Sequence, residues 1–525
     1  VGGGSGKEPL ATETQKYGRD TGGGLQRAIL RALDGVERAG NRLPQPVTLF
    51  VLLVALVLAG SAAAAWSGLS VVHPGTGDTV SAVNLLTGPQ IQRILTQMVK
   101  VFTDFPPLGL VLVVMLGIGV AEKSGLITAG LKAFVAFLPK PLVTVAIVTA
   151  GMLSSVAVDA GYVVLIPLGA VIFYGMGRHP LAGLAAAFAG VSGGFGANLL
   201  LTSLDPLLAG FTEPAARLID PDYRVDATAN WYFMAASVPL IAIAGAWVTE
   251  KIVEPRLGPY EEKAEVGDEQ GALKPVEKKG LWISAALMVL LCALFASLAL
   301  PSVGVLRAED GKLTPFFQSI VVMMFLLFLL PGIVYGIIVG TIQSDKDVAK
   351  MTSEAMSGLG TYIALAFAAA QFVAYFSWSN LGTISAIKGA EFLKAIGLTG
   401  IPLLVLFVIV ASIINLMIGS ASAKWAILAP IFVPMLMLMG YSPEVTQAAY
   451  RIGDSYTNIL TPLLPYFPLV IVFAQKYVKN VGIGTVISLM LPYAIAFALV
   501  RIPMLVIWLL LEWPVGPGAP LTYTP

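Results

Sequence analysis

The sequence predicts an all-α polytopic membrane protein assembled from two repeat halves with broken helices. Three observations predict it. Of its 525 residues 57% are hydrophobic and only 12% charged, where soluble domains carry roughly 25% charged residues. Apolar runs long enough to cross a bilayer, about 20 residues each, recur along the chain. Between them, shorter apolar pieces meet at small polar tips, the pattern of re-entrant hairpins rather than of complete crossings.

Composition excludes several function classes. Lys and Arg total 32 against 31 Asp and Glu, a net charge of +1 that leaves no nucleic-acid footprint. The single cysteine, Cys292, permits neither an internal disulfide nor a thiolate metal cluster. His73 and His179 are the only histidines, too far apart in sequence to suggest a histidine metal site or histidine-based catalysis. His179, in Gly-Arg-His-Pro, reads as a loop residue.

Residues 1–45 begin glycine-rich and continue as a basic amphipathic stretch, Leu25 to Arg42. They are expected to form a cytoplasmic tail and a helix lying on the membrane surface. Pro46 to Trp66 is the first crossing. Seven Lys and Arg residues precede it, and only Arg93 and Lys100 lie between Ser67 and Pro106. The positive-inside rule places the N-terminus in the cytoplasm.

A first membrane half takes residues 46–250 and a second takes 281–525. The charged segment 251–280, with Lys251, Arg256, Lys263, Lys274, Lys278 and Lys279, joins them as cytoplasmic loop. Apolar segments after the first fall at 107–121, 126–138, 141–153, 161–177, 181–210, 231–249, 281–299, 317–340, 356–376, 401–418, 426–440, 444–475 and 484–511. The pair 141–153 and 161–177 flanks Ser154-Ser155-Val156, and 401–418 with 426–440 flanks Ser420-Ala421-Ser422. These are the two expected hairpins. A shift of 263 positions pairs Pro167 with Pro430, Gly177 with Gly440, Pro180 with Pro443, Gly190 with Gly453 and Ser192 with Ser455. Paired, interrupted segments in two halves point to a secondary transporter's binding site.

The stretch from Ile413 to Pro468 concentrates the unusual chemistry. It places Asn415, Ser420, Ser422, Lys424, Trp425, Arg451, Asp454, Asn458 and Thr461 in an apolar context that Pro430, Pro434, Pro443, Pro462, Pro465 and Pro468 interrupt. Ionisable groups at membrane depth are expensive and mark sites or pathways. Gln447, Arg451, Asp454, Asn458 and Thr461 follow helical spacings and form one polar stripe if the helix continues through them. An Arg451 guanidinium there suits a carboxylate or sulfonyl group, and Asp454 suits a cation or a proton. The plainer reading is a mutual Arg451–Asp454 pair. Asn198, Thr202 and Asp205 form a matching set just after Ser192-Gly-Gly-Phe-Gly196, where glycines should unwind the helix and expose carbonyls. Pro206 suggests a second break, and the plainer role for Asp205 is to cap the next helix. Ser420 and Ser422 offer hydroxyls at the second tip, and the indole of Trp425 suits an aromatic ligand or the membrane interface. Lys424 is expected to snorkel to water and Arg501 to anchor an interface. Ser154, Ser155 and Asp159 are the first-tip candidates. The run Met435 to Met439 reads as packing.

GRHPLAGLAAAFAGVSGG (177–194) and INLMIGSASAKWAILAPIFVPMLMLMGYSPEVTQAAYRIGDSYTNILTP (414–462) resemble the AbgT family, as do NRLPQPVTLF (41–50) and PVGPGAP (514–520). The resemblance spans roughly residues 41–520. It implies a bacterial inner-membrane secondary transporter of p-aminobenzoyl-glutamate and related small aromatic anions, with members associated with sulfonamide efflux. It implies about nine spanning helices, two re-entrant hairpins, a bowl-shaped homodimer and cation-driven transport, with Na⁺ or H⁺ as the driving ion. The family's functional positions fall on Asp205, Asn415, Ser422, Trp425, Pro443, Arg451, Asp454 and Pro462. Substrate contacts are expected from Ser422, Trp425, Arg451, Asn458, Pro443 and Pro462. Cation coupling is expected from Asp205, Asp454, Asn198 and Asn415, with Asn415 and Asp454 suited to Na⁺. Transporters of the wider superfamily often carry Ser-Asn-Thr at hairpin tips, and Ser154-Ser155-Val156 lacks that amide. The rivals are a passive anion channel and a membrane-embedded aminobenzoyl-glutamate hydrolase, the latter disfavoured because the chain lacks a His-containing catalytic set.

Overall fold

The computed structural model describes residue 44 and residues 46–524, except 73, 75–76, 138, 157–160, 261–272, 301–303, 309–310 and 312. The expected tail and amphipathic helix, His73, Asp159 and much of the charged loop lie outside the described residues. Among the described residues the regular secondary structure is helical apart from one small hairpin, β1 (Ser70–Val72) with β2 (Thr79–Ser81), and an isolated antiparallel bridge between Tyr441 and Thr522.

In chain order the helices are α1 (Pro46–Trp66), α2 (Gly88–Thr103), α3 (Pro106–Lys123), α4 (Leu126–Phe137), α5 (Val143–Leu153), α6 (Ile166–Gly175), α7 (Pro180–Phe188), α8 (Leu204–Ala216) and α9 (Trp231–Val248). After the charged segment come α10 (Pro275–Ser297), α11 (Ile320–Val339), α12 (Asp345–Ser357), α13 (Gly360–Trp378), α14 (Leu381–Ala395), α15 (Gly400–Met417), α16 (Ala421–Met437), α17 (Pro443–Tyr456), α18 (Phe467–Gln475) and α19 (Ile483–Leu510). Among the described residues eight helical stretches are long and apolar enough to cross a membrane. Apolarity all round a helix, as in the largely unburied α1, suits lipid contact rather than an aqueous face. Four apolar stretches are shorter: Val143–Val156, Gly161–Gly175, Pro180–Gly193 and Ala421–Met437.

The charged segment is less loop than its composition suggests. Helical structure continues from α9 through Leu257, and α10 begins at Pro275. The extension is pinned by Arg178, whose guanidinium pairs with Glu254 at 2.5 Å and also bonds Thr144 at 2.9 Å. A partner 76 positions away in sequence holds those charged turns in helix.

Two large apolar cores organise the bundle, and each draws residues from both sides of the charged segment. One gathers α5, α6 and α7 with the middle of α9, α18 and the first half of α19. The other gathers α1, α8, α13, α15, α16 and α17 with the far end of α19. Close backbone approach depends on glycine at two equivalent places. A Cβ at Gly190 would run onto the Val148 carbonyl of α5, and one at Gly453 would lie 2.6 Å from the Val408 carbonyl of α15. The turn after α7 and helix α17 therefore seat closely against α5 and α15 respectively.

Candidate functional site

Two interruptions bring the polar residues together. Helix α7 widens into a π-helical turn at Ala189–Gly193 and then leaves helical geometry until α8. Helix α17 starts on a Ser442 cap, with Pro443 in its first turn where a missing N–H is harmless, and it ends at Tyr456. A 3₁₀ turn, Asn458–Leu460, follows. The predicted five-residue stripe is therefore cut: Gln447, Arg451 and Asp454 lie on α17, while Asn458 and Thr461 lie beyond its end. Near the end of α17 the Gly453 and Asp454 carbonyls accept from Thr457 Oγ1 at 2.9 Å and Asn415 Nδ2 at 2.7 Å, and Thr461 donates to the Leu416 carbonyl of α15 at 3.0 Å. The two breaks face each other, since a Cβ at Gly193 would lie 3.2 Å from Ile459, and one at Gly196 would lie 2.8 Å from the Arg451 carbonyl.

Arg451 and Asp454 do not neutralise each other. Arg451 Nη1 donates to Asp205 Oδ1 at 2.6 Å, across 246 positions of sequence. The other oxygen of Asp205 accepts from the Thr202 amide at 2.6 Å and its hydroxyl at 2.9 Å. Asp205, in the first turn of α8 rather than at its cap, thus holds Thr202 just ahead of the helix and pairs with Arg451 at once. Pro206 sits in the first turn of α8 and makes no second break, because that position needs no amide donor. Asp454 Oδ1 pairs instead with Lys424 Nζ at 2.5 Å. Lys424 does not snorkel: it is 1% exposed, and its ammonium also bonds Asn415 Oδ1. Burial of an ammonium is tolerable here because two oxygens receive it.

Asn415, near the end of α15, is the hub of this corner. Its amide is shared among the Asp454 carbonyl at 2.7 Å, Thr457 Oγ1 at 2.7 Å and Asn458 Oδ1 at 2.9 Å. That orientation turns its oxygen toward Lys424, so the two oxygens suited to a metal cation, on Asn415 and Asp454, both engage the lysine. Among the described residues no group of three or more His, Cys, Asp or Glu side chains is placed to hold a metal ion.

Trp425 is not an interfacial residue. It is fully buried, stacks on Tyr450 with ring centroids 4.4 Å apart, and donates from Nε1 to Thr212 Oγ1 at 2.9 Å. A chain of hydrogen bonds leads onward. Thr212 donates to Gln447 at 2.6 Å, Gln447 to Asn230 at 2.8 Å, and Asn230 to the Glu444 carbonyl at 2.8 Å. Arg501 is not an interfacial anchor either, being fully buried in α19 and donating to the Gly196 carbonyl at 2.8 Å. The unwound glycine segment offers that carbonyl, as the glycine cluster predicted.

The remaining candidates lie at the edges. Asn198 bonds the Met152 carbonyl at 3.0 Å and Ser155 Oγ at 2.8 Å, tying the first tip to the α7 break. Ser422 is half-buried in the first turn of α16, its hydroxyl 3.3 Å from that of Ser420, the residue that caps the helix. Pro443 and Pro462 bracket α17 and its 3₁₀ extension. Sequence reasoning missed Tyr450, Thr212 and Asn230. Tyr450 stands four residues before Asp454 and Thr212 seven after Asp205, spacings that share a helix face.

Comparison with known proteins agrees with this architecture. A family model described as "AbgT putative transporter family" matches residues 31–523. The p-aminobenzoyl-glutamate transport protein of Escherichia coli (strain K12) is 37% identical over 486 residues, covering 92% of this chain and 95% of that protein. The crystal structure of the Alcanivorax borkumensis YdaH transporter, described as having an unusual topology, aligns with a TM-score of 0.86 at 44% identity, over 90% of this chain and 100% of that one. The structure of Neisseria gonorrhoeae MtrF, described as illuminating a class of antimetabolite efflux pumps, aligns at 0.89 with 51% identity, over 93% of this chain and 100% of that one. With the family model matching most of its length, the chain belongs to the AbgT family: it is a multi-pass membrane transporter, not an enzyme.

Proposed function

We propose that this chain is a secondary active transporter of p-aminobenzoyl-glutamate and related small aromatic anions. It exports sulfonamide antimetabolites and is driven by a Na⁺ or H⁺ gradient. The name of the Escherichia coli relative supports the substrate class, and the description of MtrF supports efflux of antimetabolites. It works as a homodimer in a bacterial inner membrane, with its N-terminus in the cytoplasm and nine crossings per subunit. Its fold is read as two repeats with re-entrant hairpins at 141–177 and 401–440. Support comes from the equivalent seats of Gly190 and Gly453, 263 positions apart.

The observation that carries the mechanism is the pair of buried ion pairs where the two helix breaks meet, Arg451–Asp205 and Lys424–Asp454. Their charges come from α8, α16 and α17, so each pair spans two elements. The substrate's acid displaces Asp205 from Arg451, a guanidinium being matched to carboxylate and sulfonyl geometry. Asp205 or Asp454, relieved of its partner, takes the coupling cation, assisted by Asn415, which bonds the Asp454 carbonyl, and by Asn198. Ser422, Asn458 and the Trp425 indole receive the ring and its polar end, while Pro443 and Pro462 set where the helix starts and stops.

The test is transport of labelled p-aminobenzoyl-glutamate and of a sulfonamide in proteoliposomes, with Na⁺ and proton gradients imposed separately. Wild-type protein should move both against a concentration difference under one of the gradients. Asp205→Asn and Asp454→Asn should lower that flux by at least about tenfold, and by more than they lower protein yield. Flux that ignores every imposed gradient would make the chain a passive anion channel and end the secondary-transport reading.

A further inference from the structure

Arg501 carries a charge that has no ion-pair partner among the described residues. It lies inside α19, a helix long enough to span the membrane, and is 0% exposed. A guanidinium stays protonated in any protein environment. Its Nη2 donates to the Gly196 carbonyl at 2.8 Å and its Nη1 reaches the Arg451 carbonyl at 3.5 Å, and both acceptors are neutral. Its Nε has no hydrogen-bond partner. Among the described residues no carboxylate forms an ion pair with it, whereas Lys424 and Arg451 each have one.

The surroundings point the same way. Arg451 gives Nη1 to Asp205, yet its Nε is also buried and unpartnered. Among the described residues the cluster where the breaks meet holds three buried cations, Lys424, Arg451 and Arg501, against two buried carboxylates, Asp205 and Asp454, one positive charge in excess. A buried charge without a counter-ion is strongly unfavourable, so a protein that keeps one has a use for it. Gly196 lets the guanidinium approach, since a Cβ there would lie 2.8 Å from Arg501 Nη1.

We propose that Arg501 is a substrate-binding residue: it supplies the counter-charge for an acidic group of the aromatic anion, beside Arg451. The inference rests on the transport reading above for the identity of the aromatic part. It adds a second cation to the one already assigned to the acid, and it makes binding of a carboxylate the event that brings the core to neutrality. The rival is purely mechanical, with Arg501 acting as a bolt that holds the unwound segment 194–203 against α17 through Gly196.

The two roles predict opposite changes in stability. Arg501→Gln removes an uncompensated charge and keeps a donor for Gly196. Purified full-length Arg501→Gln should therefore melt at or above the wild-type temperature in detergent. It should bind p-aminobenzoyl-glutamate at least about tenfold more weakly, the loss expected for a charge-assisted hydrogen bond. Affinity for p-aminobenzamide, which keeps the ring and lacks the acid, should change less than about twofold. Arg501→Lys keeps the charge without the planar fork and should fall between. Wild-type affinity of Arg501→Gln for the acid would overturn the proposal, and so would a lowered melting temperature with the preference for acid over amide intact. If wild-type protein ignores p-aminobenzoyl-glutamate altogether, the substrate reading fails by itself, and benzoate then decides the Arg501 inference. Stabilisation by benzoate of wild type but not of Arg501→Gln upholds it, and equal response of the two proteins overturns it.

Discussion

Double-mutant cycles over four buried charges test whether the pairing is Arg451 with Asp205 and Lys424 with Asp454. Lys424→Met leaves the Asp454 carboxylate, 2.5 Å from the lost ammonium and with its side chain 3% exposed, without a cation. Breaking a buried pair from one side costs about 3–5 kcal/mol, whereas replacing both partners by apolar or neutral groups is close to neutral. Lys424→Met with Asp454→Asn should therefore recover most of the single-variant loss, and so should Arg451→Met with Asp205→Asn. Coupling energies of about 2–3 kcal/mol are expected for these two pairs, the upper part of the usual range for directly bonded residues. Arg451 with Asp454 share a helix and stand three residues apart, but each is bonded elsewhere, so their coupling should be the weaker one. Thermal melting of purified protein in one detergent, with folded yield from size-exclusion profiles, gives all eight proteins, wild type with four single and three double variants, on one scale. A largest coupling between Arg451 and Asp454 would refute the cross-element pairing and restore the mutual pair suggested by their spacing alone.

Two further expectations concern the scaffold. Gly453→Ala puts a Cβ 2.6 Å from the Val408 carbonyl and 2.9 Å from Ala411 Cβ, so it should lower stability by about 1–3 kcal/mol; Gly130→Ala, with open space around it, should not. Thermal melts of the two variants decide this. At the start of α12, amide donors from Gln343 and Ser344 at 2.9 Å hold the Asp347 carboxyl below its ordinary value. A depressed folded-state value stabilises the helix above the unfolded pKa of about 3.9 and loses that stabilisation as pH falls through the folded one. Amide exchange in residues 345–349 should therefore accelerate below about pH 4 relative to the rest of the helix, and Asp347→Asn should remove that acceleration.

What was legible in the sequence followed from the cost of charge in lipid. Asp205, Arg451 and Asp454 declare themselves because they are ionisable groups set within long apolar stretches. Their partners are another matter. Arg451 meets Asp205 across 246 positions, and a spacing argument sees only neighbours, so it offers Asp454, three residues away. The same limit misplaced Lys424 and Arg501 and lent Trp425 its plainer, interfacial reading. Each has the composition of an interfacial residue, and each is buried because a carbonyl, hydroxyl or carboxylate from another segment receives its polar end. Helices were legible where they are apolar, and the glycine cluster at 193–196 announced its break. Helices α12 and α14, more polar, left no apolar run to find. The end of α17 at Tyr456 was hidden as well, since Asn458 and Thr461 continue its spacing after the helix has stopped.

The arrangement of pairs bears on how binding can be tied to movement. Asp205 belongs to α8 and Lys424 to α16, while both of their partners lie on α17. Any displacement of α17 against either neighbour must open a buried ion pair, and an open pair leaves two charges without counter-ions in a water-poor core. On the transport reading, that penalty falls only when replacements arrive together. An anion at Arg451 covers the loss of Asp205, and a cation or proton at the carboxylates covers the loss of Arg451 or Lys424. With one replacement present and the other missing, a stranded charge still holds α17 in place. Coupling then needs no dedicated latch. It follows from two pairs that share one helix and cannot be broken singly at low cost.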